Sequence, residues 1–173
     1  DANNNLVRVD AQNRDDTGAI VGGNPAFTTT SAYDILDDTL SSTQEVDTTA
    51  NIVTAYAYDA NQNRVLTRFG QATSGADPFN NIRTRYDERD LVFREIRADG
   101  NPDQSTTQYD YDRNGNVLAA SQGIESAPHV TSYGYDGYNR RAAATDPMGN
   151  VATSHYDANG NLPASRVEGE LND

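Results

Sequence analysis

A tyrosine-aspartate pair recurs along the chain at nearly constant intervals, and this recurrence limits the possible folds more than any other feature of the sequence. Successive pairs are 25, 28, 25, 24 and 21 residues apart. A fixed period of this length is typical of repeat architectures, in which each copy contributes one supersecondary unit. The pairs are Tyr33-Asp34, Tyr58-Asp59, Tyr86-Asp87, Tyr111-Asp112, Tyr135-Asp136 and Tyr156-Asp157, and Asp1 begins a seventh copy without its tyrosine.

Each pair leads into a short polar stretch that predicts a tight turn, as in "YDANQN", "YDRNGN" and "YDANGN". The fourth residue after the tyrosine is, apart from Gln62, of a type that tolerates a positive φ angle. Asn114-Gly115 and Asn159-Gly160 are dipeptides favoured in type I′ hairpin turns, so we expect that turn type at these positions. The fourth residues are Asn4, Gln62, Asp90, Gly115, Asn139 and Gly160.

The segments on either side of the turns have the pattern of β-strands. Before the turns, "TAYAYD" (54–59), "TQYDYD" (107–112) and "TSYGYD" (131–136) place two tyrosines on one face of a strand. After the turns, 64–69, 91–97 and 116–121 are short and rich in β-forming residues. Five of the six prolines fall between copies, where a missing N–H group does not interrupt a ladder. No helix of useful length is predicted.

These patterns predict an all-β fold, an antiparallel β-hairpin repeat strip in which the hairpins form a meander. We expect residues 1–173 to form a single array of about six to seven repeats, degenerate over 1–50 and regular over 51–162. The chain starts and stops inside its own period, so we expect the array to be truncated at both ends. Open sheet edges predict pairing with further repeats, of the same longer chain or of other copies.

Composition excludes several classes of function. The formal net charge of −13 would repel a nucleic-acid backbone. No cysteine is present, so neither a disulfide nor a thiolate metal site can form. No apolar run approaches the 18 or so residues that a membrane-spanning helix needs, and we expect no membrane insertion.

The stretches "YDRNGNV", "YDANGNL" and "TDPMGNVATSHYDANGNL" resemble the YD repeats of the Rhs family, which are shared with the B and C components of insecticidal Tc toxins and with animal teneurins. The resemblance implies a strip of hairpins that spirals, in much longer members, into a hollow β-shell. In bacterial members the shell encloses a toxin domain, and in animal members it supports cell-surface adhesion. It therefore implies a secreted or cell-surface bacterial protein. This chain lacks the long run of repeats and the terminal core with its self-cleaving aspartates.

For the repeated pair itself we expect a structural role. The tyrosine ring would cover one face of the sheet, while the aspartate would accept backbone N–H groups in its turn. No catalytic residue and no cofactor are predicted. The residues assigned to this structural repeat motif are Tyr33, Asp34, Tyr58, Asp59, Tyr86, Asp87, Tyr111, Asp112, Gly115, Tyr135, Asp136, Tyr156, Asp157 and Gly160.

Calcium is a weaker alternative at the turns. In "DRNGN" and "DANGN" oxygen-bearing side chains alternate as they do at the start of an EF-hand loop. The glycine at the sixth position of such a loop is missing from both, and a glutamate at the twelfth position is present in one copy only, as Glu168. The candidate ligands would be Asp112, Asn114, Asn116, Asp157, Asn159 and Asn161.

Other functions are weighed against the structural one. A glycosidase would need two acids across a cleft, but aspartates are scattered through all the turns and the run 86–90 is more simply a solvated turn. His129 in a proline-containing turn and His155 before Tyr156 have no third ligand in register for zinc. A tyrosine stripe flanked by Asp and Asn also suits glycan contact, which leaves an adhesion or glycan-binding repeat and a self-assembling filament or scaffold subunit as alternatives.

Overall fold

The computed structural model describes residues 1–169, and these form antiparallel β-strands joined by short turns. The strands follow one another in a single sheet whose order is the order of the chain. The predicted all-β hairpin fold is therefore confirmed. The strands are β1 (Arg8–Gln12), β2 (Ala26–Tyr33), β3 (Thr39–Glu45), β4 (Asn51–Tyr58), β5 (Arg64–Arg68), β6 (Asn81–Tyr86), β7 (Val92–Arg97), β8 (Ser105–Tyr111), β9 (Val117–Gln122), β10 (His129–Tyr135), β11 (Arg141–Thr145), β12 (Val151–His155) and β13 (Ala164–Glu168).

Each even-numbered strand from β2 to β12 ends near a motif tyrosine, and each following odd-numbered strand leaves the turn that the paired aspartate begins. Two strands per copy were predicted, and 64–69, 91–97 and 116–121 coincide closely with β5, β7 and β9. The irregular stretch after Asp37 also forms a regular strand, β3. His129, expected in a turn, is instead the first residue of β10, because its backbone pairs with Gln122 of β9.

Contacts divide the chain into two compact units. The first contains Asp1–Thr84 and Arg97–Pro102, and the second contains Arg85–Ile96 with the described residues from Asp103 onward. Within the first unit, β2 pairs with β3, β3 with β4 and β4 with β5. Within the second unit the ladder runs from β8 through β13. Ladders such as β3–β4 and β9–β10 join neighbouring copies, so the copies share backbone hydrogen bonds.

A β-bulge accompanies the motif tyrosine in four hairpins. At Tyr58, for example, Ala57 faces Leu66 while Tyr58 faces Arg64, so Val65 is the extra residue. Such a bulge strengthens the local twist of the pair. The register shifts lie before Tyr33, Tyr58, Tyr111 and Tyr135.

One short helix, α1 (Gly70–Ser74), was not predicted. It lies in the connection between β5 and β6, and the Thr73 hydroxyl donates to the Val53 carbonyl at 2.9 Å. Five residues are too few to produce a helical hydrophobic pattern, so the sequence offered no periodic signal for α1. All six prolines lie outside the strands.

The sheet has almost no buried core. Only Ile96, 5% exposed, and Thr106, 3% exposed, are fully buried among residues 1–169. The accessible surface is 11703 Å², whereas a compact monomer of 18.8 kDa would expose roughly 8,300 Å². Backbone ladders and side-chain hydrogen bonds at the turns therefore contribute more to the stability of this chain than they do in a protein with a buried core.

Candidate functional site

Each motif aspartate closes its own turn through its carboxylate. Asp112 Oδ1 accepts the backbone N–H groups of Asn114 at 2.8 Å and Asn116 at 2.9 Å, and Oδ2 accepts the side-chain amide of Asn116 at 2.8 Å. This is an Asx-turn, which satisfies N–H groups that the reversal leaves without ladder partners. The same two backbone bonds occur at Asp1, Asp34, Asp59, Asp87, Asp136 and Asp157.

The turns are not of the predicted type I′. That type needs positive φ at both central residues, whereas Gly115 and Gly160 have φ of 84° and 85° but Asn114 and Asn159 lie outside that region. The N–H of Gly115 donates to the Asp112 carbonyl and the N–H of Asp112 to the Asn116 carbonyl. This is a longer loop, a type I turn followed by a left-handed residue, which the Asp112 carboxylate holds in place.

The positive φ predicted at the fourth residues Asn4, Asp90, Gly115, Asn139 and Gly160 is confirmed, and Gln62, the exception by residue type, also has φ 66°. A glutamine in the left-handed region costs about 1 kcal/mol relative to glycine. We therefore expect Gln62→Gly to raise the free energy of unfolding by about 0.5–1 kcal/mol, measured by urea unfolding. Gln44→Gly, inside β3, is the matched control and should lower it by a similar amount. Equal destabilisation by both changes would contradict the assigned backbone strain.

The same carboxylate turn occurs at two aspartates outside the tyrosine-aspartate pairs, where it was not predicted. Asp146 Oδ1 accepts the N–H groups of Met148 and Asn150, both at 2.9 Å, in the connection between β11 and β12. Asp15 does the same for Thr17 and Ala19. The signal was present as Asp followed at the third position by glycine, in Gly149 and Gly18, both with positive φ.

Each motif tyrosine with a described hydroxyl bond ties its copy to the preceding one. The Tyr111 hydroxyl donates to the Val92 carbonyl at 2.6 Å, and the Tyr135 hydroxyl donates to the Val117 carbonyl at 3.0 Å. The acceptor is always the fifth residue after the aspartate of the preceding copy. The remaining ties join Tyr33 to Leu6, Tyr58 to Thr39 and Tyr156 to Arg141.

These ties give the two residues of the pair different roles. The aspartate folds its own turn, and the tyrosine hydroxyl binds the strand that leaves the previous turn. Sequence periodicity places a ring on a face but says nothing about the reach of its hydroxyl, so this contact was not predicted. Burial raises the pKa of Tyr58 and of Tyr111, which keeps both hydroxyls protonated as donors at neutral pH.

Arginines stack on the aromatic rings beside the turns. The Arg140 guanidinium lies 4.4 Å from the centre of the Tyr156 ring and 5.1 Å from that of Tyr138, within cation–π range. Its Nε also donates to Asp136 Oδ2 at 2.7 Å. Arg140 thus links the Asp136 turn to the ring of the following copy.

The carboxylates in the turns hold their protons weakly. The side-chain amide of Asn116 is the main cause that lowers the pKa of Asp112, and the amide of Asn161 does the same for Asp157. At Asp146 the largest cause of the lowered pKa is the amide of Asn150. In each case hydrogen bonds to the ionised form favour that form.

The lowered pKa values predict loss of stability in acid. A carboxyl whose folded pKa lies below its unfolded value of 3.8 stabilises the fold above about pH 4 and loses that contribution as the pH falls through the folded pKa. We expect urea midpoints, followed by circular dichroism, to fall steeply below pH 4. Replacement of Asp112, Asp146 and Asp157 together by asparagine keeps an acceptor oxygen at each turn and removes the titrating proton. The urea midpoint of this triple variant should therefore fall less steeply with decreasing pH. An unchanged dependence of the urea midpoint on pH would contradict the stabilising role of these carboxylates.

The calcium candidates have N–H donors around their carboxylates. Both oxygens of Asp112 and of Asp157 accept hydrogen bonds from N–H groups within the turn. Among residues 1–169 no group of three or more His, Asp and Glu side chains is arranged to hold a metal. Within the same residues, no helix has the length and apolarity needed to cross a membrane.

A cleft with several aromatic walls lies in the second unit. Its volume is about 480 Å³, which is within the usual range for small-ligand sites. Both aromatic rings and carboxylates line this cleft. The sequence pattern predicted glycan contact from the same combination of residues. The lining residues are Tyr86, Asp87, Glu88, Arg89, Phe93, Tyr109, Asp110 and Tyr111.

Comparison with known proteins gives a likeness of fold. A Tc holotoxin pore structure from Photorhabdus luminescens matches 90% of this chain with a TM-score of 0.67 and 17% sequence identity. Crystal structures of TcdB2-TccC3 match 92–93% of the chain at 13–15% identity, with TM-scores near 0.3. The chain spans only 9% of the matched holotoxin chain. No protein-family model and no curated protein matches the sequence.

Proposed function

We propose that this chain is an architectural segment, part of the β-shell of a secreted or cell-surface bacterial Rhs/YD-repeat protein whose shell encloses a toxin domain. The observation that carries the proposal is the hydroxyl tie to the preceding copy, which five of the six motif tyrosines make. These hydroxyls are used to join hairpin to hairpin, which is what a continuous wall requires. The fold likeness to the Tc holotoxin pore supports the same assignment.

The large exposed surface also supports a role inside a larger assembly. A sheet with only Ile96 and Thr106 buried among residues 1–169 gains little from a core of its own. Covering one face by enclosed protein, and the edges by further repeats, would remove apolar surface from water. The partners in this proposal are further YD repeats and an encapsulated toxin domain. Residues 1–173 then act as one array, and the tyrosine-aspartate pairs act in packing, with no catalytic residue.

Cryo-electron microscopy of the full polypeptide that carries this segment tests the proposal. A shell predicts that the segment continues into neighbouring hairpins on both sides and that one face looks onto an enclosed volume containing a separate domain. A segment with both faces in solvent would overturn it.

A second candidate function is adhesion through glycan binding, which the aromatic cleft favours. Tyr109, which is half-buried, is a wall of that cleft, and a ring beside carboxylates can bind the apolar and hydroxyl faces of a sugar together. A glycan array should then show binding that Tyr109→Ala reduces at least tenfold. Tyr138→Ala, at an exposed ring outside this cleft, is the matched control and should leave binding unchanged. Absence of binding to any glycan would reject this candidate and leave the shell proposal untouched.

A further inference from the structure

The seven turns that begin at the motif aspartates, Asp1 included, are of two alternating types. In the first type both the second and the fourth residues after the aspartate are asparagine, and in the second type neither is. The types alternate without exception along the sequence. First-type turns begin at Asp1, Asp59, Asp112 and Asp157, and second-type turns begin at Asp34, Asp87 and Asp136.

At two of the three junctions where a first-type turn precedes a second-type turn, its two amides clamp a side chain of the next turn. Asn114 Nδ2 and Asn116 Nδ2 both donate to Asn139 Oδ1 at 3.0 Å. Asn139 is the left-handed residue of the Asp136 turn, three residues after the aspartate, with φ 61°. A single side-chain oxygen therefore accepts two hydrogen bonds from the neighbouring copy.

The first pair of turns repeats this contact. Asn3 Nδ2 and Asn5 Nδ2 donate to Asp37 Oδ1 at 2.9 and 2.7 Å, and Asp37 is the left-handed residue of the Asp34 turn. These two amides are the main causes that lower the pKa of Asp37. In the sequence, the first-type turn at Asp59 is likewise followed by a second-type turn whose third residue after the aspartate is Asp90.

Two junctions of the opposite order, before the Asp112 and the Asp157 turns, place glycine where the clamped side chain would lie. Gly115 follows the Asp87 turn, and a Cβ at Gly115 would lie 3.6 Å from Leu91 Cδ1. Gly160 follows the Asp136 turn, and a Cβ there would lie 3.6 Å from a terminal nitrogen of Arg140. At these two junctions the side chains of Leu91 and Arg140 take the place of the two amides, and the facing position carries glycine. At the third junction of this order, from the Asp34 turn to the Asp59 turn, the facing position carries Gln62.

The turn at Asp157 presents the first-type surface after the last motif tyrosine. Nothing within residues 1–169 accepts a hydrogen bond from Asn159 Nδ2, and the Asn161 amide donates to Asp157 Oδ2 at 2.9 Å, as the Asn116 amide does to Asp112. Leu162 is the fifth residue after Asp157, the position whose carbonyl accepts a tyrosine hydroxyl in earlier copies. No tyrosine follows Tyr156 in the sequence, and β13 pairs with β12 alone in the described part of the chain.

We propose that the Asp157 turn and the free edge of β13 form a docking surface for a second-type hairpin, one with the sequence Tyr-Asp-x-x-Asp/Asn. The tyrosine hydroxyl would donate to the Leu162 carbonyl, and the amides of Asn159 and Asn161 would clamp the Asp or Asn side chain. A hairpin with glycine at that position offers no oxygen to the amides. This inference rests on the proposed function and adds a rule for which hairpin follows which.

A second copy of the chain offers no suitable partner through its own β1. Both β1 and β13 are leaving strands, that is, strands that follow an aspartate turn. The tyrosine tie instead pairs a leaving strand with an entering strand, one that runs into a turn and ends in tyrosine. The occupant is therefore an entering strand of a further hairpin.

Binding of hairpin peptides to the isotope-labelled 173-residue protein tests the proposal. The probes are peptides of residues 129–148, a second-type hairpin with Asn139, the same peptide with Asn139→Gly, and residues 105–124, a first-type hairpin with Gly115. Added terminal cysteines close each peptide, so that its strands are already paired before binding. We expect the native 129–148 peptide to bind about tenfold more tightly than the other two, the effect of two added hydrogen bonds. The NMR signals of the Asn159 and Asn161 amides should shift only with that peptide.

The outcomes separate this rule from the proposed function. Equal binding of all three peptides would overturn the selection of second-type hairpins while hairpin stacking stands. No binding by any peptide would overturn the docking surface and would also count against further repeats at this edge. As an independent measurement in the full chain, Asn114→Ala should be destabilising alone and almost neutral in an Asn139→Gly background. Strictly additive effects would contradict the clamp.

Discussion

Replacement of Tyr111, Tyr135 and Tyr156 together by phenylalanine is expected to lower the free energy of unfolding by about 3 kcal/mol. Each change keeps the ring and removes one hydroxyl that donates to the strand of the preceding copy, at 2.6, 3.0 and 3.1 Å. A hydrogen bond of this kind contributes about 1 kcal/mol, and bonds in separate copies should add. Urea unfolding followed by circular dichroism gives the value.

Tyr138→Phe is the matched control for this series. The Tyr138 ring is 82% exposed, and its hydroxyl donates to nothing in the described part of the chain, so the change should cost less than about 0.5 kcal/mol. If the triple variant were no less stable than Tyr138→Phe, the hydroxyl ties would not hold the copies together, and the main support for an architectural role would be lost.

Ile96→Ala is expected to have the largest effect of any single change, a loss of about 2–4 kcal/mol. Ile96 in β7 is the one fully buried apolar side chain among residues 1–169, so its truncation leaves a cavity that no second layer can fill. Ile96→Val should cost only about 1 kcal/mol. The same unfolding assay distinguishes the two.

Val130→Ala provides the comparison at an exposed site. Val130 in β10 is 40% exposed, and its truncation should cost clearly less than that of Ile96. Similar losses from Ile96→Ala and Val130→Ala would mean that burial is not concentrated at Ile96 and that the sheet is stabilised uniformly along its length.

The sequence was sufficient to predict the strand order, because a period near 25 residues with tyrosines on one face has few other solutions. Positive φ at Asn139 followed from its place in the period and from the tolerance of asparagine for that region. The turn type at Asn114-Gly115 was not predictable from the dipeptide, because the carboxylate of Asp112 selects a longer loop.

The contacts that join copies were harder to predict than the copies themselves. The bond from Tyr135 to the Val117 carbonyl and the clamp on Asn139 both link residues about 20 positions apart, and each depends on the register of adjacent hairpins. Residue types show what a side chain can donate but not which neighbour lies within 3 Å. The alternation of turn types was visible in the sequence, yet its meaning needed the positions of the amides.

That alternation has a consequence for how such a protein can grow. Duplication of the Asp112 hairpin alone would make the amides of Asn114 and Asn116 face a second copy of Gly115, which has no side-chain acceptor. Duplication of the Asp112 and Asp136 hairpins together would keep Asn139 as the acceptor at each repeated junction. Gene-level gain and loss of repeats in proteins of this kind should therefore proceed in pairs.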